Sequence, residues 1–141
     1  MTPSTPPDAA SLHTTVLFID DDPAALDFWS QGLRQCSPAY STLTATNINA
    51  GLDLYRSQKV DCVVLDLDMP EGSGFEAMLS LIPDRRRPSI AVVVLTRLPY
   101  KNLHEMAMHN GARACLVKQH TSVDELNTSI QKAIASIAAT S

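Results

Sequence analysis

The sequence predicts an α/β domain in which five strands alternate with five helices around a parallel sheet covered on both faces. Two patterns and one placement carry this. Apolar runs of strand length recur along the chain, each followed by a segment with apolar residues spaced three and four apart. The runs are apolar at successive positions, as in strands buried on both faces. Polar residues collect where the runs end, and in open parallel sheets ligands bind beyond the carboxyl ends of the strands.

The elements follow in order. Residues 1–13 include Pro3, Pro6 and Pro7 among Ser, Thr and Ala, a composition that predicts a flexible tail. Thr14 to Asp20 (TTVLFID) reads as the first strand. Pro23 opens a helix to Gln35, with Leu26, Trp29 and Leu33 on one face. Ser37-Pro38 ends it, and Tyr40 to Ala45 gives a weaker, alternating strand. Asn47 is placed to cap a short helix carrying Leu52 and Tyr55 inward. Val60 to Asp66 (VDCVVLD) is the third strand, and a loop leads from it to a helix with Phe75, Met78, Leu79 and Ile82 facing inward. Ser89 to Thr96 (SIAVVVLT) is the strongest strand signal. The next helix spans Pro99 to Asn110 through Leu103, Met106 and Ala107, with Gly111 suited to its C-terminal cap. Ala114 to Lys118 is a short strand. The last helix opens on a capping box, Ser122 with Glu125, and carries Val123, Leu126, Ile130, Ile134 and Ile137 inward. The domain is therefore expected over 14–137, with 138–141 as a C-terminal tail.

Composition narrows the function. The chain has 141 residues, 45% of them hydrophobic, enough for one domain with a core. Lys and Arg number 11 against 15 Asp and Glu, and the formal charge of -4 argues against nucleic-acid binding through a broadly basic surface. The longest apolar run, Ile90 to Leu95, is far short of the roughly 20 residues that cross a bilayer. The N-terminus has neither the basic nor the apolar region of a secretory signal. Cys36, Cys62 and Cys115 are scattered, as reduced thiols of a cytoplasmic protein are.

At the strand ends stand Asp20-Asp21-Asp22, Asp66 with Asp68 two residues on, Thr96 and Lys118. Each has an ordinary explanation alone. The acidic triplet before Pro23 favours a helix N-terminus, Asp66 can cap a turn, Thr96 suits a strand edge, and a lysine is usually solvated. Those explanations do not account for acids, a hydroxyl and an amine on one rim of one sheet. Converging carboxylates repel one another and call for a hard cation, and an all-oxygen set with few protein ligands suits Mg2+. Asp66, on the central strand, is placed to take a phosphoryl group covalently. Lys118 and Thr96 are placed to contact its oxygens.

The motifs FIDDDP, VVLDLDMPEGSGFEAM, VVVLT and GARACLVK stand in this order between Phe18 and Lys118. With them the chain resembles a receiver (response regulator) domain of two-component signalling, from Thr14 to Ile137. The resemblance implies a flavodoxin-like fold with sheet order 2-1-3-4-5. It implies that Asp20 and Asp21 hold Mg2+ together with Asp66 and the backbone carbonyl of Asp68, that Asp66 is the phosphoacceptor, and that Thr96 and Lys118 read the phosphoryl group. Asp22 is left out of this set. The implied partners are a sensor histidine kinase or phosphotransfer protein that donates the phosphoryl group, and a downstream protein partner or a second copy in a phosphorylation-dependent dimer. No direct nucleic-acid or membrane partner is expected. The domain is expected to stand alone or to be part of a larger regulator or hybrid kinase.

Three positions depart from the family pattern. Arg97 follows the threonine where a small residue is usual, and is expected either to point to solvent or to alter phosphate lifetime, in a direction the sequence leaves open, by pairing with Asp68 or the phosphoryl group or by screening water. Cys115 stands where the family usually has Tyr or Phe, which puts the usual output route in doubt. Gln119 replaces the proline that usually follows the lysine, so the loop is either built differently or keeps a cis bond. Other signals are set aside. Gly72 to Ala77 fits a dinucleotide fingerprint, but five residues separate it from the strand end and no acid follows at the required distance. Gly72 and Gly74 are instead expected to permit the turn into the helix. His13, His104, His109 and His120 lack metal-ligand spacing, and Arg85-Arg86-Arg87 reads first as a solvated turn and second as a docking patch. Two rival functions are a haloacid-dehalogenase-like phosphatase, whose acidic pair would follow the lysine, and a receiver-shaped interaction module that is never phosphorylated.

Overall fold

A computed structural model describes residues 13–70 and 73–140. Most of the expected N-terminal tail, and Gly72, lie outside them. The elements are β1 (Thr14–Ile19), α1 (Pro23–Cys36), β2 (Tyr40–Ala45), α2 (Ile48–Ser57), β3 (Cys62–Leu65), α3 (Ser73–Leu81), β4 (Ala91–Thr96), α4 (Lys101–His109), β5 (Ala114–Val117) and α5 (Val123–Thr140). A 3-10 turn, Lys118–His120, links β5 to α5. The strands pair in parallel in the order β2-β1-β3-β4-β5, the doubly wound order expected.

Because neighbouring side chains of a strand point to opposite faces, the sheet divides the core in two. Leu17, Ile19, Val63, Leu65, Val92 and Val94 face α2, α3 and α4, where Met78, Leu81, Ile82 and Ala107 cover them. Val16, Phe18, Val64, Val93 and Leu95 face α1 and α5, packing on Leu26, Trp29, Leu33, Leu126 and Ile130. The helix ends obey local chemistry. Asp22 caps α1 by accepting from Ala24 N, and Asn47 caps α2 by accepting from Ala50 N. Ser122 and Glu125 exchange both bonds of the capping box, at 2.8 and 3.1 Å. Gly111, just past α4, takes φ 108°, a conformation that only glycine adopts without strain. The closing helix runs past Ile137 to Thr140, over Ala138 and Ala139, which favour a helix.

One inward-facing assignment, Leu79, is corrected, and Met106 of the α4 spacing also lies outward. Leu79 is 48% exposed and Met106 53% exposed, while Leu81 and Ala107 are buried. On α3 the buried set is Ala77, Met78, Leu81 and Ile82, one position off the predicted stripe. Gly74 explains the rotation. A Cβ there would lie 2.7 Å from Leu67 Cα and 2.8 Å from the Asp66 carbonyl oxygen, so the helix seats its glycine against the loop after β3.

Candidate functional site

The register of the sheet builds the site. Ile19 pairs with Leu65, so the next residues, Asp20 and Asp66, emerge side by side at the carboxyl end. The bond from Asp66 N to the Ile19 carbonyl, 3.0 Å, extends that pairing. Thr96 pairs with Val117, which sets Lys118 just beyond the same edge. Asp20 and Asp66 are buried, and each is fixed by a turn two residues long. Asp20 Oδ1 accepts from Asp22 N at 2.9 Å and Asp66 Oδ1 accepts from Asp68 N at 2.8 Å.

Lys118 joins the two carboxylates. Its Nζ donates to Asp20 Oδ2 at 2.6 Å and to Asp66 Oδ2 at 3.0 Å. Burial alone would lower the lysine's pKa, but the two carboxylates outweigh it and hold the ammonium more firmly charged than usual. For Asp20 burial is the larger influence and raises its carboxyl pKa, although the Lys118 hydrogen bond opposes it. Asp21 is exposed at the mouth, and one oxygen each of Asp20, Asp21 and Asp66 lies within 4.8 Å of the others. One ammonium against three carboxylates leaves negative charge uncompensated. An all-oxygen set with an exposed member, which leaves room for waters, fits a hard divalent cation such as Mg2+.

The remaining candidates stand around this cluster in different ways. Thr96 is fully buried at the end of β4; its Oγ1 accepts from Leu98 N at 3.3 Å and it shares no hydrogen bond with Asp66 or Lys118. Asp68 enters the site by its backbone, while its side chain faces Arg97 across the mouth at 4.0 Å. Asp22 serves α1 as its cap, so the helix-terminus explanation of the acidic triplet holds for that member. Gln119 settles the loop question. No peptide bond among the described residues is cis, and Gln119 Nε2 donates to the Arg97 carbonyl at 3.3 Å, tying the turn after β5 to the one after β4. His104 ties down the same region by a 2.8 Å hydrogen bond to the Leu98 carbonyl. Cys115 does not join the cluster. It is half-buried in a cleft with Pro99, His104, Met108 and Val117, and burial pushes its thiol up to about 11. Gly74 stands at the entry to the helix, as expected, but the sequence does not reveal that it seats α3 on the backbone of Asp66 and Leu67. Its position eight residues after Asp66, at the start of an apolar helical stripe, was the only available signal.

The model of the response regulator receiver domain family matches residues 16–131, and the chain belongs to that family. It is thus a receiver domain of two-component signalling. Protein PilH of Pseudomonas aeruginosa is 29% identical over 103 residues, which are 73% of this chain and 84% of PilH. The transcriptional regulatory protein GlrR of Escherichia coli is 36% identical over 81 residues, 57% of this chain but only 17% of GlrR. The chain thus spans less than a fifth of that relative. Among solved structures, a receiver domain protein from Clostridium thermocellum superposes with a TM-score of 0.78 at 26% identity, covering 89% of this chain and 98% of that one. A CheY-like receiver domain protein from Methanospirillum hungatei shares the fold, with a TM-score of 0.77 at 20% identity over 90% of this chain and 98% of that one.

Proposed function

We propose that the domain accepts a phosphoryl group on Asp66 and relays that event to a partner. The observation that carries this reading is the convergence of Asp66 with Asp20, Asp21 and Lys118 at the carboxyl end of the sheet. A carboxylate oxygen of Asp66 attacks the phosphorus of a phosphohistidine on a sensor histidine kinase or phosphotransfer protein. The O–P bond forms as the P–N bond breaks, and the imidazole nitrogen leaves with the electron pair. Lys118 is already charged and within reach, so it pairs with a phosphoryl oxygen without reorganising. Thr96 supplies its hydroxyl to another oxygen once the group is in place, and that conditional bond couples the mark to the loop after β4. Asp20, Asp21, Asp66 and the backbone carbonyl of Asp68 are the groups that would hold Mg2+. When bound, Mg2+ offsets negative charge on the transferred group.

Arg97 and Cys115 adapt this scheme. Arg97 lies over the mouth through Asp68 and screens the acyl phosphate from water. Cys115, too small to follow Thr96 inward, moves the output away from an aromatic swing and toward the loop that Gln119 and His104 tie together. The phosphorylated domain, over 14–137, then changes its contacts with a downstream protein or pairs with a second copy. It is a stoichiometric acceptor with slow loss of its own phosphoryl group, not a turnover enzyme. No helix among the described residues is long and apolar enough to cross a membrane, and we place the domain in the cytoplasm with its kinase. Asp66→Asn should abolish uptake from a phosphohistidine donor while circular dichroism shows an intact fold. Undiminished labelling of that variant would remove Asp66 from its role.

A further inference from the structure

The acidic rim has a counterpart at the other end of the sheet. Arg85, Arg86 and Arg87 form an exposed turn between Pro83 and Pro88, just before β4. The turn is held by its own backbone: Arg87 N donates to the Asp84 carbonyl at 3.0 Å, and Arg86 N donates to Asp84 Oδ1 at 3.0 Å. It lies against the turn between α4 and β5, because a Cβ built at Gly111 would stand 3.7 Å from Arg85 Cα. Two residues beyond Gly111 is Arg113, whose backbone N donates to the Val92 carbonyl at 2.8 Å. The fold thus gathers four arginines around the amino ends of β4 and β5, with Asp84 turned to its own backbone and Asp61, before β3, accepting from Thr15 N.

None of the four has an ion-pair partner within 4.0 Å among the described residues. Arg113 Nε is moreover buried without a hydrogen-bond acceptor. In a chain whose formal charge is -4, this is a local field opposite in sign to the whole. The turn is fixed by two prolines and two hydrogen bonds, so the guanidinium groups are presented from a constrained backbone, which lowers the entropy lost when they are bound. Guanidinium forks pair with carboxylates in bidentate fashion.

We propose that this arginine end is a docking surface for an acidic segment of a partner protein, separate from the phosphoacceptor site. Charge complementarity selects the partner's sign, and the size of the patch selects its class. Duplex DNA is gripped through many phosphate contacts, about 6–10 in proteins that depend on them. Four arginines on a chain of net negative charge fall short of that, and neither a helix nor an aromatic platform presents them to a groove or to bases. A few carboxylates on an extended segment match the patch. Since β4 has 6 residues and a strand rises about 3.3 Å per residue, the patch lies about 20 Å from the Asp66 rim, and both can be engaged at once.

The test is fluorescence anisotropy of a short labelled peptide rich in Glu and Asp, titrated with the full chain and with an R85E/R86E/R87E variant. The peptide should bind the native chain at low salt and release as salt rises. The variant should bind at least about tenfold more weakly, a loss of about 1.4 kcal/mol, and R85Q/R86Q/R87Q should fall between. All three positions are exposed, so urea midpoints should match and phosphoryl uptake at Asp66 should be unchanged. No peptide binding at low salt, equal affinity in the reversed variant, or a duplex oligonucleotide binding as tightly as the peptide would each overturn the proposal.

Discussion

Removing the Lys118 ammonium should expose how much charge the site stores. Lys118→Met keeps the length and apolar stem of the side chain but leaves Asp20 and Asp66 facing each other without the cation now 2.6 and 3.0 Å away. Their oxygens lie within 4.8 Å, so at an effective dielectric of about 20 the two charges repel by about 3.5 kcal/mol. Breaking a buried pair from one side typically costs about 3–5 kcal/mol. In EDTA at about pH 7.5 the variant should therefore lose about 3 kcal/mol, a fall of about 1.5–2 M in the urea midpoint for a domain of this size. The sign with pH follows from linkage. One carboxylate of the unpaired couple takes up a proton more readily folded than unfolded, so the folded state is favoured as pH falls. Lowering pH to about 5.5 should restore part of the loss relative to the native protein measured alongside, and Mg2+ should restore stability at neutral pH. A loss under about 1 kcal/mol that is the same at both pH values would refute the reasoning, because it would mean that water, not Lys118, already balances the carboxylates.

Other perturbations probe separate parts of the account. Gly74→Ala drives a Cβ into the backbone of Leu67 and Asp66; it should cost about 1–3 kcal/mol by urea denaturation and weaken Mg2+ binding, whereas native-like values on both would clear the helix seat of any role. Asp21→Ala removes an exposed carboxylate from the cluster, so a Mg2+ titration should weaken at least about tenfold while metal-free stability holds or rises; an unaltered titration would exclude Asp21 from the metal site. Arg97 and Asp68 are 68% and 43% exposed at 4.0 Å, so Arg97→Ala should change stability by less than about 0.5 kcal/mol yet shorten the lifetime of the Asp66 adduct, and a longer lifetime would reverse the screening role. With its thiol pushed up to about 11 from 9.0, Cys115 should alkylate near pH 8 about a hundredfold more slowly than an unperturbed thiol of pKa 9.0, with the rate rising about tenfold per pH unit; rapid labelling at neutral pH would show that the cleft does not protect it.

The parallel sheet is legible because short apolar runs alternating with helical stripes suit strands buried on both faces, whereas the order 2-1-3-4-5 is implied only by the resemblance to receiver domains. Caps are legible for a similar reason: Asn47, and Ser122 with Glu125, satisfy donors one turn away, within reach of local sequence. The rotation of a helix about its axis is not. Leu79 and Leu81 are equally apolar, and what buries the second is Gly74 lying on a loop backbone, a contact made only in the folded chain. The site shows the same division. That acids, Thr96 and Lys118 share a rim follows from where strands end. That Lys118 bonds Asp20, 98 residues away, and at a shorter distance than Asp66, follows from the order in which strands pair. Asp22 illustrates competing uses of one residue type, since a single acidic triplet contains a helix cap and two members of the carboxylate cluster.

The central claim is tested most directly by intact-mass measurement over time after incubation with Mg2+ and acetyl phosphate, with Asp66→Asn alongside. The account predicts one phosphoryl adduct per chain that decays slowly and is missing from the variant and from samples in EDTA. Steady release of phosphate with no adduct, or an adduct that persists in Asp66→Asn, would contradict it.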